Sequence, residues 1–279
     1  MLGEVRFLGS LWYKELSNPY ESLNRTVLAG FDGAEISIEY PLLDEKDVDV
    51  GALHDFSRNY YLGVHLPWRD VNLASPIPEI REGALKYIKR VISVMDKAEP
   101  RYYVLHVTTA SIGCRNSIRC VEKAAAALTK LGKETTAKMV VETTSGPCCG
   151  NLSAIGLLVD EAEGVGVCLD IAQLVAEVLS EGEEGCEKLV DNVIESLPPN
   201  VWGAVELTHI HGWEIRGRRV LPHRYPSDEQ IAALKKFLRA VMERVGKIVA
   251  VFEVFYDQRG NSLHSWELSH LLREIARGL

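Results

Sequence analysis

The chain has 279 residues, of which 47% are hydrophobic and 25% are charged, as in an ordinary globular protein. A formal net charge of −8 argues against DNA as a partner, because neutralising phosphates requires a concentrated basic surface. The longest apolar runs fall short of the ~20 residues that a membrane span needs, and Glu4 and Arg6 interrupt any signal peptide, so we expect a cytoplasmic protein without a membrane partner.

Short β-rich runs alternate with amphipathic stretches along the sequence. The predicted strands are Val5–Leu8, Ala34–Glu39, Leu62–Leu66, Tyr102–Val107, Lys138–Thr143, Gly166–Asp170, Ala204–His211 and Ile248–Val254. This alternation is typical of βα units that build a parallel sheet.

Predicted helices separate these strands. One covers Glu79–Ala98, and another covers Asp228–Val245, after a capping box formed by Ser227 and Gln230. A last helix is predicted around Leu263–Ala276.

Eight alternations without a break in composition predict one domain over residues 1–279, folded as an α/β, parallel eight-stranded (β/α)8 barrel, the TIM barrel. An open doubly wound sheet is the alternative. No GxGxxG phosphate loop follows the first strand, which favours the barrel.

Six predicted strands end in a side chain that can bind a metal. These residues are His65, His106, Glu142, Asp170, His209 and Glu253. Side chains alternate along a strand, so apolar neighbours such as Val64 and Leu66 face the helices and leave His65 inside the barrel. An unpaired buried carboxylate is costly, whereas carboxylates and imidazoles at one end of a barrel can share metal ions. Local hydrogen bonding could explain each residue alone but explains six together poorly.

The kinds of ligand narrow the choice of metal. Mixed imidazole and carboxylate ligands suit Zn, Mn, Fe or Co rather than Ca. Glu142 or Glu253 could bridge two ions, as carboxylates do and imidazoles rarely do.

The order His, His, Glu, Asp, His, Glu, within VHLP, LH, VVE, VCLD, HIHG and FEVF, resembles the xylose isomerase-like barrel superfamily. That superfamily includes endonuclease IV (apurinic endonuclease family 2) and sugar-phosphate isomerases and epimerases. The resemblance covers essentially the whole chain. The segments HLPW, HIHGW and EVF are also similar to the cobamide-remodelling phosphodiesterases of the superfamily.

The resemblance implies two different metal centres. In the epimerase-like branch, one metal is held by Glu142, Asp170, His209 and Glu253. The two glutamates would then also transfer protons. In the endonuclease IV-like branch, His65 and His106 add a second metal with Glu142 as the bridge. Because both histidines are present, we expect two divalent ions per chain, Zn or Mn.

A third metal, which the endonuclease IV-like branch also holds, is not expected. It would need a histidine where Gln173 stands, and an Asp-x-His where this chain has Leu221, Pro222 and His223. Only His223 matches that pattern. The chain therefore departs from the DNA-repair enzymes, and its acidic character favours a small-molecule substrate.

A basic segment follows the seventh strand. It contains His211, Arg216, Arg218, Arg219, His223 and Arg224. Arginine suits a phosphate or carboxylate because its guanidinium makes paired, charge-assisted hydrogen bonds. The residues predicted to bind a small anionic, phosphorylated substrate are Arg216, Arg218, Arg219, His211, His223 and Gln173. A solvated basic loop is the alternative.

Two enzyme classes and one binding class remain open. The first is hydrolysis of a phosphoester by two metals. The second is isomerisation or epimerisation of a sugar or sugar phosphate, with Glu142 and Glu253 as the catalytic proton-transfer groups. A non-catalytic binding barrel is hard to reconcile with so complete a ligand set. The two histidines, His65 and His106, and the basic segment favour the hydrolase slightly.

The six cysteines include no CxxC pair, so a structural zinc knuckle is not expected. Cys114 and Cys120 could form a disulfide, although buried free thiols are the favoured interpretation. The pattern assigns no role to Cys148 and Cys149.

Overall fold

Eight parallel strands close into a barrel in the computed structural model, which describes residues 4–107, 118–145, 148–179 and 185–279. The described strands are β1 (Glu4–Leu11), β2 (Gly33–Ser37), β3 (Tyr61–His65), β4 (Tyr102–Leu105), β5 (Lys138–Glu142), β6 (Gly166–Asp170), β7 (Val205–Ile210), β8 (Gly212–Arg216), β9 (Arg219–Arg224) and β10 (Lys247–Phe252). The barrel order is β1-β10-β7-β6-β5-β4-β3-β2, with β1 closing the ring between β10 and β2. The predicted TIM barrel is confirmed.

Helices alternate with the barrel strands. They are α1 (Pro19–Leu28), α2 (Val50–Ser57), α3 (Pro78–Met95), α4 (Ile118–Gly132), α5 (Leu152–Glu161), α6 (Ile171–Val178), α7 (Cys186–Ser196), α8 (Pro199–Trp202), α9 (Asp228–Val245) and α10 (Ser269–Ala276). The predicted capping box is present at the start of α9, where Ser227 and Gln230 exchange hydrogen bonds. None of these helices, within the described part of the chain, is long and apolar enough to cross a membrane.

Apolar side chains fill the lower part of the barrel interior. They are Leu8, Tyr102, Val104, Val140, Cys168, Leu207, Val249 and Val251. Because side chains alternate along a strand, the residue two positions further on also points inward. Glu142 follows Val140 in this way, and Glu253 follows Val251. The fold therefore places an apolar layer below and a polar layer at the carboxyl ends of the strands.

The basic segment after β7 is an antiparallel hairpin rather than the predicted loop. Strands β8 and β9 pair Ile215 with Val220 and Arg216 with Arg219, which leaves a two-residue turn. Gly217 in that turn has a φ of 60°, a conformation that glycine adopts without strain and that tight hairpin turns need. The hairpin therefore carries Arg216, Arg218 and Arg219 at its exposed end, at and beside the turn.

The last helix also begins later than the sequence predicts. A 3-10 turn covers Ser265–Leu268, and α10 starts only at Ser269. Among the cysteines, Cys148 and Cys149 are joined by a disulfide, whereas Cys168 is free and buried. Cys114, one half of the pair considered above, lies outside the described residues.

Candidate metal centre

Two imidazoles from neighbouring strands face one carboxylate oxygen. Nε2 of His65, at the end of β3, lies 3.1 Å from Oε2 of Glu142. Nε2 of His106, one residue after β4, lies 3.1 Å from the same oxygen. Nδ1 of His65 donates to the carbonyl oxygen of Leu66 at 2.9 Å, which fixes the ring with Nε2 pointing at Glu142. Ordering of this kind is typical of a metal-binding imidazole.

A second group of donors adjoins Glu142. Nδ1 of His209 lies 3.3 Å from Oε2 of Glu142 and 3.4 Å from Oε2 of Glu253. Asp170, at the end of β6, has its Oδ2 atom 3.1 Å from Nε2 of His211. Both groups lie at the carboxyl ends of the barrel strands, as the sequence predicts for one active face.

His211 lies in a different place from the one expected of a substrate-binding residue. It is 1% exposed, and its Nδ1 lies 3.1 Å from the carbonyl oxygen of Gly212, much as His65 contacts Leu66. The backbone N–H of His223 also donates to Nδ1 of His211 at 3.1 Å, so the contacts of Nδ1 are compatible with either tautomer. In the tautomer with its proton on Nδ1, Nε2 would be free to bind a metal together with Asp170. The sequence could have indicated this position, because His209 and His211 are two residues apart and side chains at that spacing point to the same side of a strand.

One buried nitrogen atom of the site supports the binding of a divalent ion. Nδ1 of His209 is buried and makes no hydrogen bond within the described structure, despite the two nearby carboxylates. An unpaired buried polar atom is rare and costs free energy. His65, His106 and Glu142 offer donor atoms that lie within 4.8 Å of one another, as do Glu35, His209 and Glu253. An ion held by the first group, and a second ion bound to Nδ1 of His209 and to Glu253, would satisfy these lone pairs. Glu35 faces the other nitrogen of His209.

The imidazoles and carboxylates of the metal-free site shift one another's pKa values. Burial opposes protonation of His65, but the hydrogen bond to Glu142 and the charges of the nearby carboxylates together outweigh it and raise the pKa of His65 to about 9. Burial also works against the charge of Glu142, yet the charges of His106 and His209 hold its pKa well below the usual range. Burial, reinforced by the nearby charge of Glu142, raises the pKa of Glu253 to about 7. A metal ion would therefore displace a proton from His65.

His223 has a strained backbone at the edge of the site. Its φ of 63° lies in the left-handed region, which is unusual for a residue other than glycine. Nδ1 of His223 lies 3.2 Å from the carbonyl oxygen of Glu253 and so carries the proton. Burial, followed by the charge of His211, lowers the pKa of His223 to about 3. A neutral imidazole with a lone pair on Nε2 accepts hydrogen bonds, so this geometry does not favour an anion-binding role.

A cavity of about 390 Å³ opens above these donors. Its lining residues include His65, His106, Glu142, Asp170, His223 and Glu253. Aromatic rings form its walls: Trp12 stacks on Phe255 at 4.6 Å between ring centroids, and Trp68 stacks on His106 at 5.5 Å. Among the described residues, no lysine or arginine lines it.

Gln173 reaches the cavity, as predicted for a substrate-binding residue. Its Oε1 atom accepts hydrogen bonds from the backbone N–H and the hydroxyl of Ser145, at 3.0 and 2.6 Å. The Gln173 amide N–H groups are thereby left to donate to a ligand. The helix α6 begins here because Oδ1 of Asp170 accepts the N–H of Gln173 at 2.8 Å.

The structure does not bring the three predicted arginines to the cavity. Arg216, Arg218 and Arg219 are exposed on the β8–β9 hairpin. Arg216 forms an ion pair with Glu214, which lies two residues earlier in the chain. The sequence does not reveal the hairpin register, which leaves Pro222 and His223 of β9 at the cavity and the three arginines at the exposed turn.

Several residues of the site could not be predicted from the polar residues at strand ends. Glu35 lies in the middle of β2 and is fully buried, with its carboxylate 3.1 Å from Nε2 of His209. Trp12, Trp68 and Phe255 lie in loops that follow β1, β3 and β10. An aromatic residue in such a loop is common, so only the fold shows that these three surround one cavity.

Comparisons with known proteins agree on one fold. A family model described as a xylose isomerase-like TIM barrel matches residues 23–274. D-allulose 3-epimerase from Methylomonas sp. is 15% identical, with a TM-score of 0.66 over 100% of both chains. Endonuclease IV from Thermus thermophilus is 14% identical, with a TM-score of 0.67 over 98% of this chain and 100% of that one.

A third similar structure is the TTHB071 protein from Thermus thermophilus, soaked with ZnCl2. It is 19% identical, with a TM-score of 0.63 over 98% of each chain. At such identities the likeness shows the shared fold alone. No curated protein matches the chain.

Proposed function

Because the chain belongs to the xylose isomerase-like TIM barrel family, we propose that it is a divalent-metal-dependent enzyme that hydrolyses a phosphoester in a small anionic substrate. The observation that carries the proposal is the position of Glu142. One oxygen of this carboxylate lies 3.1 Å from Nε2 of both His65 and His106 and 3.3 Å from Nδ1 of His209. A carboxylate in that position suits a bridge between two ions.

The ligands divide into two sets that share Glu142. The first ion would be held by His65, His106 and Glu142. The second would be held by Glu142, Asp170, His209 and Glu253, with His211 as a further donor beside Asp170. Imidazole and carboxylate donors together suit Zn or Mn.

The remaining side chains bind and orient the substrate. When bound, two ions would neutralise the phosphoryl charge and supply Lewis acidity to both the attacking and the leaving oxygen. Trp12 and Phe255 offer flat apolar surfaces to the rest of the substrate. The Gln173 amide donates to a substrate oxygen, and the Nε2 lone pair of His223 accepts a hydrogen bond from it.

The charge of the cavity is consistent with metal ions, rather than basic side chains, binding the phosphoryl group. Its described lining carries carboxylates and imidazoles but no guanidinium or ammonium group. A phosphate cannot approach so many carboxylates unless cations neutralise them. The negative net charge of the chain points in the same direction, towards a small substrate rather than a DNA duplex.

A sugar epimerase is the second candidate, and one observation favours it. Glu142 and Glu253 both line the cavity, and the pKa of Glu253 is raised by burial to about 7. A carboxyl group with that pKa can both give and take a proton near neutral pH. D-allulose 3-epimerase, with its matching fold, makes a ketohexose the natural probe.

Parallel assays on the metal-reconstituted protein separate the two candidates. We expect release of 4-nitrophenol from bis(4-nitrophenyl) phosphate or 4-nitrophenyl phosphate, and no exchange of the C3 proton of D-allulose in D2O. Glu142→Gln should abolish the release, and Arg216→Ala serves as the matched surface control. Proton exchange without phosphoester cleavage would overturn the hydrolase in favour of the epimerase.

A further inference from the structure

Glu35 is a buried carboxylate that lies behind the candidate metal centre. It lies on β2 and is fully shielded from solvent. Its Oε2 atom accepts a hydrogen bond from the Tyr102 hydroxyl at 2.8 Å. Nε2 of His209 donates a hydrogen bond to the same Oε2 atom at 3.4 Å and lies 3.1 Å from Oε1, on the side of the ring opposite the proposed metal. Glu35 therefore contacts the centre only through His209.

The contact determines which nitrogen of His209 carries the proton. A carboxylate accepts hydrogen bonds, so Nε2 of His209 donates to Glu35. The neutral tautomer that keeps its Nε2 proton presents a lone pair on Nδ1, the buried atom that makes no hydrogen bond in the described structure. The free Nδ1 lies 3.3 Å from Glu142 and 3.4 Å from Glu253.

We propose that Glu35 is a positioning residue that prepares His209 to bind the second metal ion. The inference rests on the proposed metal centre. Partners of this kind orient a metal-binding imidazole, fix its tautomer and increase its basicity. Glu35 is a poor direct ligand for the same ion, because the ring of His209 lies between the two.

The charges of the barrel interior support a role beyond packing. Within the described part of the chain, four buried carboxylates contact its histidines: Glu35, Glu142, Asp170 and Glu253. Ionised together they carry four negative charges, which two divalent cations would balance with neutral imidazoles. Without Glu35 the loaded centre would carry an excess positive charge, so the second ion would bind more weakly.

Metal titration of the chelator-stripped protein tests the proposal. Zn²⁺ is added to the wild type, Glu35→Gln and Tyr102→Phe in the presence of a chromophoric competitor. A glutamine amide can donate to Nε2 of His209 and so move the imidazole proton to Nδ1. Glu35→Gln should therefore weaken one of the two ions by about ten- to a hundredfold and leave the other unchanged. Tyr102→Phe, which touches Glu35 but not the donor atoms, should retain both affinities.

The thermal midpoint of the metal-free proteins separates positioning from simple stabilisation. Removing one of four crowded carboxylates should leave the Glu35→Gln midpoint equal to or above that of the wild type. Two ions bound by Glu35→Gln with wild-type affinity would overturn the proposal, as would a lower midpoint with both ions weakened in parallel. A wild type that binds one ion contradicts the two-metal centre, yet weakening of that ion in Glu35→Gln would still support the role of Glu35. A wild type that binds no ion would overturn both proposals.

Discussion

Nδ1 of His209 lies 3.3 Å from Oε2 of Glu142. The same oxygen lies 3.1 Å from Nε2 of His65 and 3.1 Å from Nε2 of His106. Three imidazoles from three strands thus meet at one carboxylate oxygen. The proposed two-metal centre depends on this arrangement.

Removing one imidazole of the first site should remove one metal ion. His106→Asn takes away a donor of the His65, His106 and Glu142 group and leaves the second group intact. We expect one fewer equivalent of Zn²⁺ per chain by elemental analysis. His270→Asn is the matched control, because its side chain is 78% exposed and far from the strand ends. Two equivalents retained in His106→Asn would exclude His106 as a ligand.

The metal-free protein should lose stability as the pH rises from about 6.5 to about 9. Despite burial, the hydrogen bond to Glu142 and the charges of the surrounding carboxylates raise the folded-state pKa of His65 from 6.5 to about 9. The proton on His65 therefore stabilises the fold fully below pH 6.5, and this contribution is lost as the pH rises through 9. Glu253, with a pKa raised by burial to about 7, acts in the same direction over its own range.

Thermal midpoints measured in chelator across this pH range check the prediction. His65→Asn is the informative variant, because it removes the titrating imidazole while retaining a polar side chain. Its midpoint should fall less between pH 6.5 and 9 than that of the wild type. An equal fall in both proteins would show that His65 does not cause the dependence.

The aromatic wall should matter more for substrate binding than the hairpin arginines. A stacking contact is worth about 0.5–1.5 kcal/mol, so Trp12→Ala should raise KM by roughly two- to tenfold. Arg216→Ala should leave KM unchanged, because Arg216 is 65% exposed and paired with Glu214. A rise in KM for Arg216→Ala, Arg218→Ala or Arg219→Ala would show that the hairpin reaches the substrate, as the sequence predicts.

The floor of the barrel should not tolerate a side chain at residue 63. A Cβ atom on Gly63 would lie 2.2 Å from Cζ of Tyr102. Overpacking of this kind costs about 1–3 kcal/mol, so Gly63→Ala should lower the free energy of unfolding in urea by that amount. Gly83 in α3 is the control, since nothing lies within 4 Å of its added Cβ. Gly83→Ala should be neutral or slightly stabilising.

The strands and the six residues at their ends could be predicted because both follow from local patterns. Six of the eight β-rich runs have one of these polar residues at or next to their end, and parallel strands bring those ends together. The position of the arginines could not be predicted, because the pairing of Arg216 with Arg219 depends on a turn at Gly217. Glu35 was missed because a glutamate inside an apolar strand has no visible partner until β7 brings His209 beside it.

The position of His211 could be predicted from the sequence only in part. The pattern His-x-His predicts that His209 and His211 point to the same side of one strand. The spacing does not show which of the two histidines binds a metal and which contacts a substrate. That distinction depends on the position of Asp170, which lies 3.1 Å from His211. Parallel pairing of β6 with β7 sets that distance, and the order of residues along the chain does not contain it.

The most direct measurement is the metal content of the purified protein after reconstitution and removal of loosely bound ions. Elemental analysis should find two equivalents of Zn or Mn per chain in the wild type. Glu142→Gln should lose most of both ions while keeping a folded barrel, because an amide cannot offset the charge of two adjacent cations. One equivalent in the wild type, or two retained in Glu142→Gln, would contradict a centre bridged by Glu142.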